Sequence, residues 1–135
     1  MDDDTPFAHL VGMARQQPEP QRLLFVFVGA ELPDDASPEQ RARFERGEGG
    51  ALVPLMTVDK APEELAGFPA LAAEADAQRA DWLMVFVGAL PGRGSEPPSG
   101  TEVERALQRI EDRIKQGLVG GLLVLDRDGR SVELG

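Results

Sequence analysis

The stretch LFVFVGA, at residues 24–30, decides the fold of this chain, and it recurs almost unchanged as LMVFVGA at residues 83–89. Neither copy alternates between apolar and polar residues, which is typical of a strand covered on both faces, as in a parallel sheet. A second echo follows each copy, GGALV at residues 49–53 and GGLLV at residues 120–124. The repetition predicts two related halves within one domain.

Helix signals separate these strands. Thr5-Pro6 and Ser37-Pro38 each combine a capping hydroxyl with a proline in the first turn, where no N–H is needed. Thr101 with Glu104 has the spacing of a capping box, and the apolar residues that follow it have helical periodicity.

The order of elements is therefore α-β-α-β twice, and it ends in a predicted C-terminal β-hairpin. Residues 122–125 and 131–134 would form this hairpin, with Gly129 at the position of its turn that needs a positive φ. Alternation of this kind predicts an α/β fold. We expect a single domain over residues 1–135, with about four helices and a mixed, mostly parallel five-stranded sheet.

Three residues, Pro54, Gly67 and Pro69, are expected to interrupt the predicted strands and helices. Pro54 lies inside the apolar run 51–58, and proline cannot donate to a ladder, so that strand is expected at an edge or split by a bulge. Gly67 and Pro69 are expected to kink or divide the helical pattern of residues 61–79.

Composition excludes several classes of function. The chain has 135 residues, a formal net charge of −10 and no cysteine. Without cysteine there is no disulfide, thiolate metal site or cysteine nucleophile, and an acidic chain is a poor partner for nucleic acid or an anionic membrane. Residues 1–4, MDDD, are expected to be a disordered acidic tail rather than a signal peptide. These features predict a cytoplasmic protein.

Residues suited to catalysis are scarce. The chain has one histidine, His9, and no tyrosine, so most common general bases and nucleophiles are absent. The adjacent acids Asp34 and Asp35 leave a carboxylate-dependent hydrolase as a distant alternative. The glycine-rich segments at residues 47–50 and 91–95 match no phosphate-binding pattern. We therefore predict no catalytic residue, no metal site and no cofactor.

One candidate ligand site lies after the second copy of the strand. Arg93, Ser95 and Thr101 surround a predicted helix start, where free N–H groups favour an anion. The alternative interpretation is that Thr101 is an ordinary cap.

A candidate surface for a protein partner lies on the last helix. Arg105, Arg109 and Arg113 recur every fourth residue and form a basic stripe that is expected to face away from the core. An acidic protein, or the acidic part of a second copy, would fit this stripe. The alternative is a solvated face neutralised by neighbouring acids.

The phrases FVGAELP, at residues 27–33, and LVPLMTVDK, at residues 52–60, resemble a family of small proteobacterial proteins often labelled "ribonucleotide reductase subunit alpha". The resemblance extends over residues 18–60 and to the C-terminal glycines, and it implies a bacterial, cytoplasmic setting. It carries over no functional residue. The label does not fit this chain, because the known large reductase subunits need a thiyl radical and a reducing pair of cysteines.

The sequence thus favours a non-enzymatic cytoplasmic module that binds a protein partner or self-associates. The alternative is a regulatory domain that binds a small anionic metabolite at the loop of residues 91–101.

Overall fold

The strands form a single antiparallel sheet. The structure, a computed structural model, describes residues 5–32, 34–46 and 50–133. Within them the strands are β1 (Gln21–Glu31), β2 (Ala51–Lys60), β3 (Met84–Pro91) and β4 (Leu123–Asp126). They lie in the order β2-β1-β3-β4, and every neighbouring pair is antiparallel.

Helices cover both faces of this sheet. The described helices are α1 (Pro6–Arg15), α2 (Pro38–Glu45), α3 (Phe68–Gln78) and α4 (Gly100–Lys115), with a short 3₁₀ turn at Pro62–Glu64. The helices α1 and α3 pack on one face, and α4 packs on the other. The helix α2 contributes no buried residue and is held at its start by a capping box between Ser37 and Gln40.

The core is divided between the two faces by the alternation of β1. All seven residues from 23 to 29 are buried. Leu23, Phe25 and Phe27 belong to the cluster under α1 and α3, whereas Leu24, Val26 and Val28 belong to the cluster under α4. Both sets of side chains leave water on folding, and this burial is the main stabilising contribution of the strand.

The prediction of a mostly parallel five-stranded sheet is wrong: over the described residues the sheet has four strands and is entirely antiparallel. An uninterrupted apolar strand indicates burial on two faces, which an antiparallel sheet also provides when helices lie on both sides. Over residues 131–133 the predicted last strand is reduced to a bridge between Leu125 and Ser131, followed by a hydrogen bond from Val132 N to Val124 O at 2.9 Å; residue 134, its predicted end, lies outside the described residues. The α/β class and four helices are present as expected. The predicted acidic tail, residues 1–4, lies outside the described residues.

The repeated strands are not equivalent in the sheet. In the sequence alignment of the two copies Phe27 corresponds to Phe86, yet Phe27 lies under α1 and α3 while Phe86 lies under α4. A twofold axis that superposes two antiparallel neighbours such as β1 and β3 must be normal to the sheet. Rotation about such an axis leaves every side chain on the same face of the sheet. The sequence repeat is therefore shifted by one residue relative to any register in which such an axis would relate the two strands.

The expectations at the prolines and glycines are confirmed. Pro54 lies in an edge strand, next to a register shift between Phe27 and Val28 of the neighbouring strand. The helical pattern of residues 61–79 is divided at residues 65–67 into the 3₁₀ turn and α3. Gly129 has a φ of +83° in the turn after β4.

We expect the Gly129→Ala substitution to destabilise the protein by about 2 kcal/mol, because a side chain is disfavoured at this φ and the new methyl group would overpack the core. Its Cβ would lie 2.9 Å from the ring of Phe68. Urea denaturation followed by the fluorescence of Trp82 measures this change. Gly120→Ala is the control, since its Cβ would meet nothing within 4 Å. Equal stabilities for the two variants would contradict the prediction.

Candidate functional site

The loop that follows β3 is shaped by its own backbone. Arg93 and Glu96 exchange two backbone hydrogen bonds, both 2.9 Å long, which close a tight turn. Gly92 is required before this turn, because a Cβ there would collide with the backbone of Glu96 and Pro97. The loop therefore owes its glycine to a close backbone approach and not to a phosphate.

The helix start after this loop is already occupied by the chain's own carboxylate. Ser99 is the cap of α4: its Oγ accepts from Glu102 N at 3.1 Å, and Glu102 Oε1 accepts from Ser99 N at 3.0 Å. Thr101, the predicted cap, instead lies exposed within the first turn of the helix. The negative charge of Glu102 at this helix start already complements the helix dipole and disfavours an external anion there.

Arg93 pairs with that same carboxylate. Its guanidinium lies 3.5 Å from Glu102 Oε2, and its side chain is 90% exposed. The hydrogen bond from Ser99 N is the main cause that lowers the pKa of Glu102, and Arg93 adds to the effect. Among the described residues no hydrogen bond or ion pair joins Arg93 to Ser95 or Thr101. The structure thus brings Arg93 to Glu102 and does not assemble the three predicted ligands.

The basic stripe of α4 is divided between two roles. Arg113 donates to Leu118 O at 3.0 Å and to Gly120 O at 2.6 Å, so it ties the end of the helix to the loop that leads to β4. Arg105 and Arg109 lie on the exposed side of α4. Arg113 lies in the last turn of the helix, ahead of Gly117. Basic residues in this position often cap the last carbonyl groups, so the sequence contained a signal for this role.

A cluster around Trp82 was not predicted from the sequence. Trp82 is only 1% exposed, and its indole Nε1 donates to Asp76 Oδ1 at 2.9 Å. Arg127 stacks on the indole, with its Cζ 4.4 Å from the ring centroid, and donates to Asp76 Oδ1 at 2.9 Å and to Trp82 O at 2.8 Å. The cluster joins the turn after β4 to α3 and to the start of β3. No local sequence pattern predicts this cluster, because Asp76 and Arg127 are 51 residues apart in the chain.

The remaining pKa shifts belong to a surface ion pair. Arg79 and Asp81 form two hydrogen bonds, 2.6 Å and 2.9 Å long, which lower the pKa of Asp81 and raise that of Arg79. Both groups are exposed and lie in the connection between α3 and β3. A general acid or base needs a pKa close to neutrality. The pKa of Asp81 is lowered and that of Arg79 is raised, so both move away from neutrality.

Elsewhere in the described part of the chain, Arg22 joins Asp59 at 2.7 Å and Glu64 at 3.2 Å in ion pairs. His9 is exposed on α1. Over residues 5–32, 34–46 and 50–133 there is no group of three His, Asp or Glu side chains that could hold a metal ion. Within the same residues, no helix has the length and apolar character that crossing a membrane requires.

Comparisons with protein-family models, with curated proteins and with solved structures find no match to this chain.

We expect the ionised Glu102 cap to stabilise the fold in a pH-dependent way. Because its folded-state pKa is lowered, the stabilisation is present above the ordinary glutamate pKa of about 4.3 and is lost as the pH falls through the lower folded value. The Glu102→Gln substitution should therefore reduce the free energy of unfolding more at neutral pH than at about pH 3. Urea denaturation at both pH values measures this difference.

The control for this prediction is Glu104→Gln. Glu104 is exposed on the same helix and makes no hydrogen bond or ion pair with the described residues. A destabilisation by Glu102→Gln that is the same at both pH values would contradict the role of the charge.

We expect Arg127→Ala to lower the free energy of unfolding by about 2 kcal/mol, because it removes the stacking on Trp82 and the hydrogen bonds to Asp76, Trp82 O and Ala80 O. Arg127→Lys should recover only part of this loss, since an ammonium group cannot make the same planar contacts. Arg130→Ala, in the same turn, is the control and should stay within about 0.5 kcal/mol of the wild type. Equal losses in the two alanine variants would show that the cluster has no special weight.

Proposed function

We propose that this protein is a non-enzymatic, cytoplasmic interaction module that self-associates through the outer edge of β2. The observation that carries this proposal is the asymmetry of the two sheet edges. The edge strand β2 is ten residues long, and no described strand pairs with its outer side. The opposite edge strand, β4, has four residues and is partly covered by residues 131–132.

The direction of the backbone groups in β2 follows from the register. Gly92 N donates to Pro20 O at 2.8 Å, which makes this a hydrogen-bonded pair of the β1–β3 ladder. Bonded pairs alternate in an antiparallel ladder, so the even-numbered residues of β1 bond to β3 and the odd-numbered residues from Leu23 to Phe27 bond to β2. In β2, Thr57 and Asp59 lie between the residues that pair with these odd-numbered residues of β1. The backbone N–H and C=O groups of Thr57 and Asp59 therefore point outward, away from β1.

The outer edge of β2 also lacks the charges that usually protect an edge strand. Residues 51–58 are uncharged. Asp59 is paired with Arg22 at 2.7 Å, and Lys60 is paired with Glu74 at 2.9 Å. Among the described residues, the features of β2 that usually protect an edge strand are Pro54 and the register shift beside it. Because no described strand pairs with this edge, residues 55–59 are the segment that we propose accepts another strand.

A second copy of this chain is the occupant we propose. Antiparallel pairing about Thr57 would set Thr57 opposite Thr57, Met56 opposite Val58 and Leu55 opposite Asp59. No like charges would face one another, and the contact would be the same from both sides, as a twofold dimer requires. The short pairing predicts a weak dimer. The resemblance to the small proteobacterial family adds a bacterial setting to the proposal.

Two other surfaces offer different functions. Arg105 and Arg109 could bind an acidic partner through the exposed side of α4. A small anion at Arg93, Ser95 and Thr101 has less support, because the negative charge of Glu102 lies beside the helix start, bonded to Ser99 N, and pairs with Arg93.

Salt dependence separates the edge from the basic stripe. Two copies that each carry −10 repel one another, and salt screens this repulsion. We expect analytical ultracentrifugation at high protein concentration to find a dimer that tightens as salt is raised. An association through Arg105 and Arg109 with acidic groups would weaken with salt. A wild-type protein that stays monomeric at every concentration and salt level would refute self-association.

Thr57→Lys should abolish the dimer, because it places two lysines directly opposite each other at the centre of the pairing. Gln78→Lys, at the exposed end of α3, is the matched control: it changes the net charge equally and should leave the dimer intact. The substitution Arg109→Glu tests the stripe. A dimer that survives Thr57→Lys but is lost in Arg109→Glu would contradict the β2 edge and assign the contact to α4.

A further inference from the structure

A groove runs beside α1 on the face of the sheet that this helix covers. It lies between α1 and the segment of residues 65–69 and has a volume of about 600 Å³, within the range of small-molecule sites. Its lining residues on α1 recur at positions 8, 12 and 15, so the groove follows most of the ten-residue helix, a length of about 15 Å.

The floor of the groove is apolar. Phe7, Val11, Leu65 and Phe68 are all less than a tenth exposed, and the rings of Phe7 and Phe68 meet edge to face at 5.5 Å. Gly12 keeps the wall open, because a Cβ at this position would meet nothing within 4 Å. The groove therefore offers an elongated, largely preformed surface to an apolar body.

One end of the groove carries a cation. Arg15 Nη2 donates to Pro62 O at 3.1 Å, which holds the guanidinium at the C-terminal end of α1. A guanidinium has five N–H donors, and this is the one hydrogen bond that the Arg15 side chain makes with the described residues. The remaining donors suit a carboxylate, which an arginine can bind through two parallel hydrogen bonds.

The groove also contains an acid. Asp128 lines it beside Gly129, and Gly129 in turn packs against Phe68. The negative charge of Asp128, a residue that lines the groove, disfavours a second negative charge on an occupant. The combination of an apolar floor, one arginine and one opposing carboxylate thus selects for a single anionic group on an apolar chain.

We propose that this groove binds a medium-chain monocarboxylate, with its carboxylate on Arg15 and its hydrocarbon chain along Phe7, Val11 and Phe68. The site is independent of self-association, because α1 and residues 65–69 contain no part of β2. The Thr57→Lys variant should therefore bind as the wild type does, which keeps the failure of one proposal distinct from the failure of the other.

The first test is isothermal titration calorimetry of the whole chain with decanoate, decanol and decanedioate, each below its aggregation threshold. We expect saturable, stoichiometric binding of decanoate and much weaker binding of the other two. Decanol lacks the group that Arg15 recognises, and decanedioate carries a second charge. Equal binding of decanol and decanoate would overturn the assignment of Arg15. Absence of saturable decanoate binding would overturn the site.

Two variants locate the binding. Arg15→Gln should weaken decanoate binding by about tenfold or more, the loss of a charge-assisted contact, whereas Arg43→Gln, on the exposed side of α2, should leave it unchanged. Gly12→Leu should block the groove without unfolding the chain, because its Cβ has free space and leucine favours a helix more than glycine does. Circular dichroism verifies that both variants fold. Unchanged decanoate affinity in either folded variant would refute the proposal.

Discussion

The burial of β1 on both of its faces is the constraint on which the rest of the structure depends. Its odd-numbered residues from Leu23 to Phe27 support α1 and α3, and its even-numbered residues support α4. The same strand also has partners on both of its edges. A strand surrounded in this way leaves the open edges of the sheet to β2 and β4, so the surface available for strand addition follows directly from the position of β1.

Local pairing accounts for two of the four arginines that the sequence presents as binding groups. Arg113 closes the end of α4, and Arg93 pairs with Glu102. Arg127, which the sequence did not single out, stacks on Trp82. In a chain of charge −10 an arginine has many acidic and carbonyl partners of its own. Recognition is therefore assigned more readily to places that combine unused backbone or apolar surface with few charges, namely the edge of β2 and the groove beside α1.

These two surfaces have different physical requirements. The proposed strand addition at β2 would depend on main-chain hydrogen bonds and on the local absence of charge, and salt would favour it by screening the repulsion between two acidic copies. The groove depends on an apolar floor and on one cation, Arg15, in a field that is otherwise negative. Any anion that binds there does so through local contacts and against the net charge of the protein.

The sequence by itself determined the features that depend on interactions between residues close together in the chain. The α/β class, four helices, the break near Gly67, the edge position of Pro54 and the turn at Gly129 follow from periodicity, missing N–H groups and φ preferences, which act over a few residues. The choice of helix cap already exceeds this range: Ser99 and Thr101 are both followed by a glutamate three residues later, and no local signal separates them.

Tertiary structure alone decided the strand directions, the face on which each residue of β3 lies, and the long-range contacts of Arg15 and Arg127. An apolar run such as residues 24–30 records that a strand is buried on two sides, but hydrophobic burial has no direction and does not distinguish a parallel neighbour from an antiparallel one. Likewise, Arg15 reaches Pro62 over 47 positions, and Arg127 reaches Asp76 over 51. Such distances are closed only when the sheet and its helices have assembled.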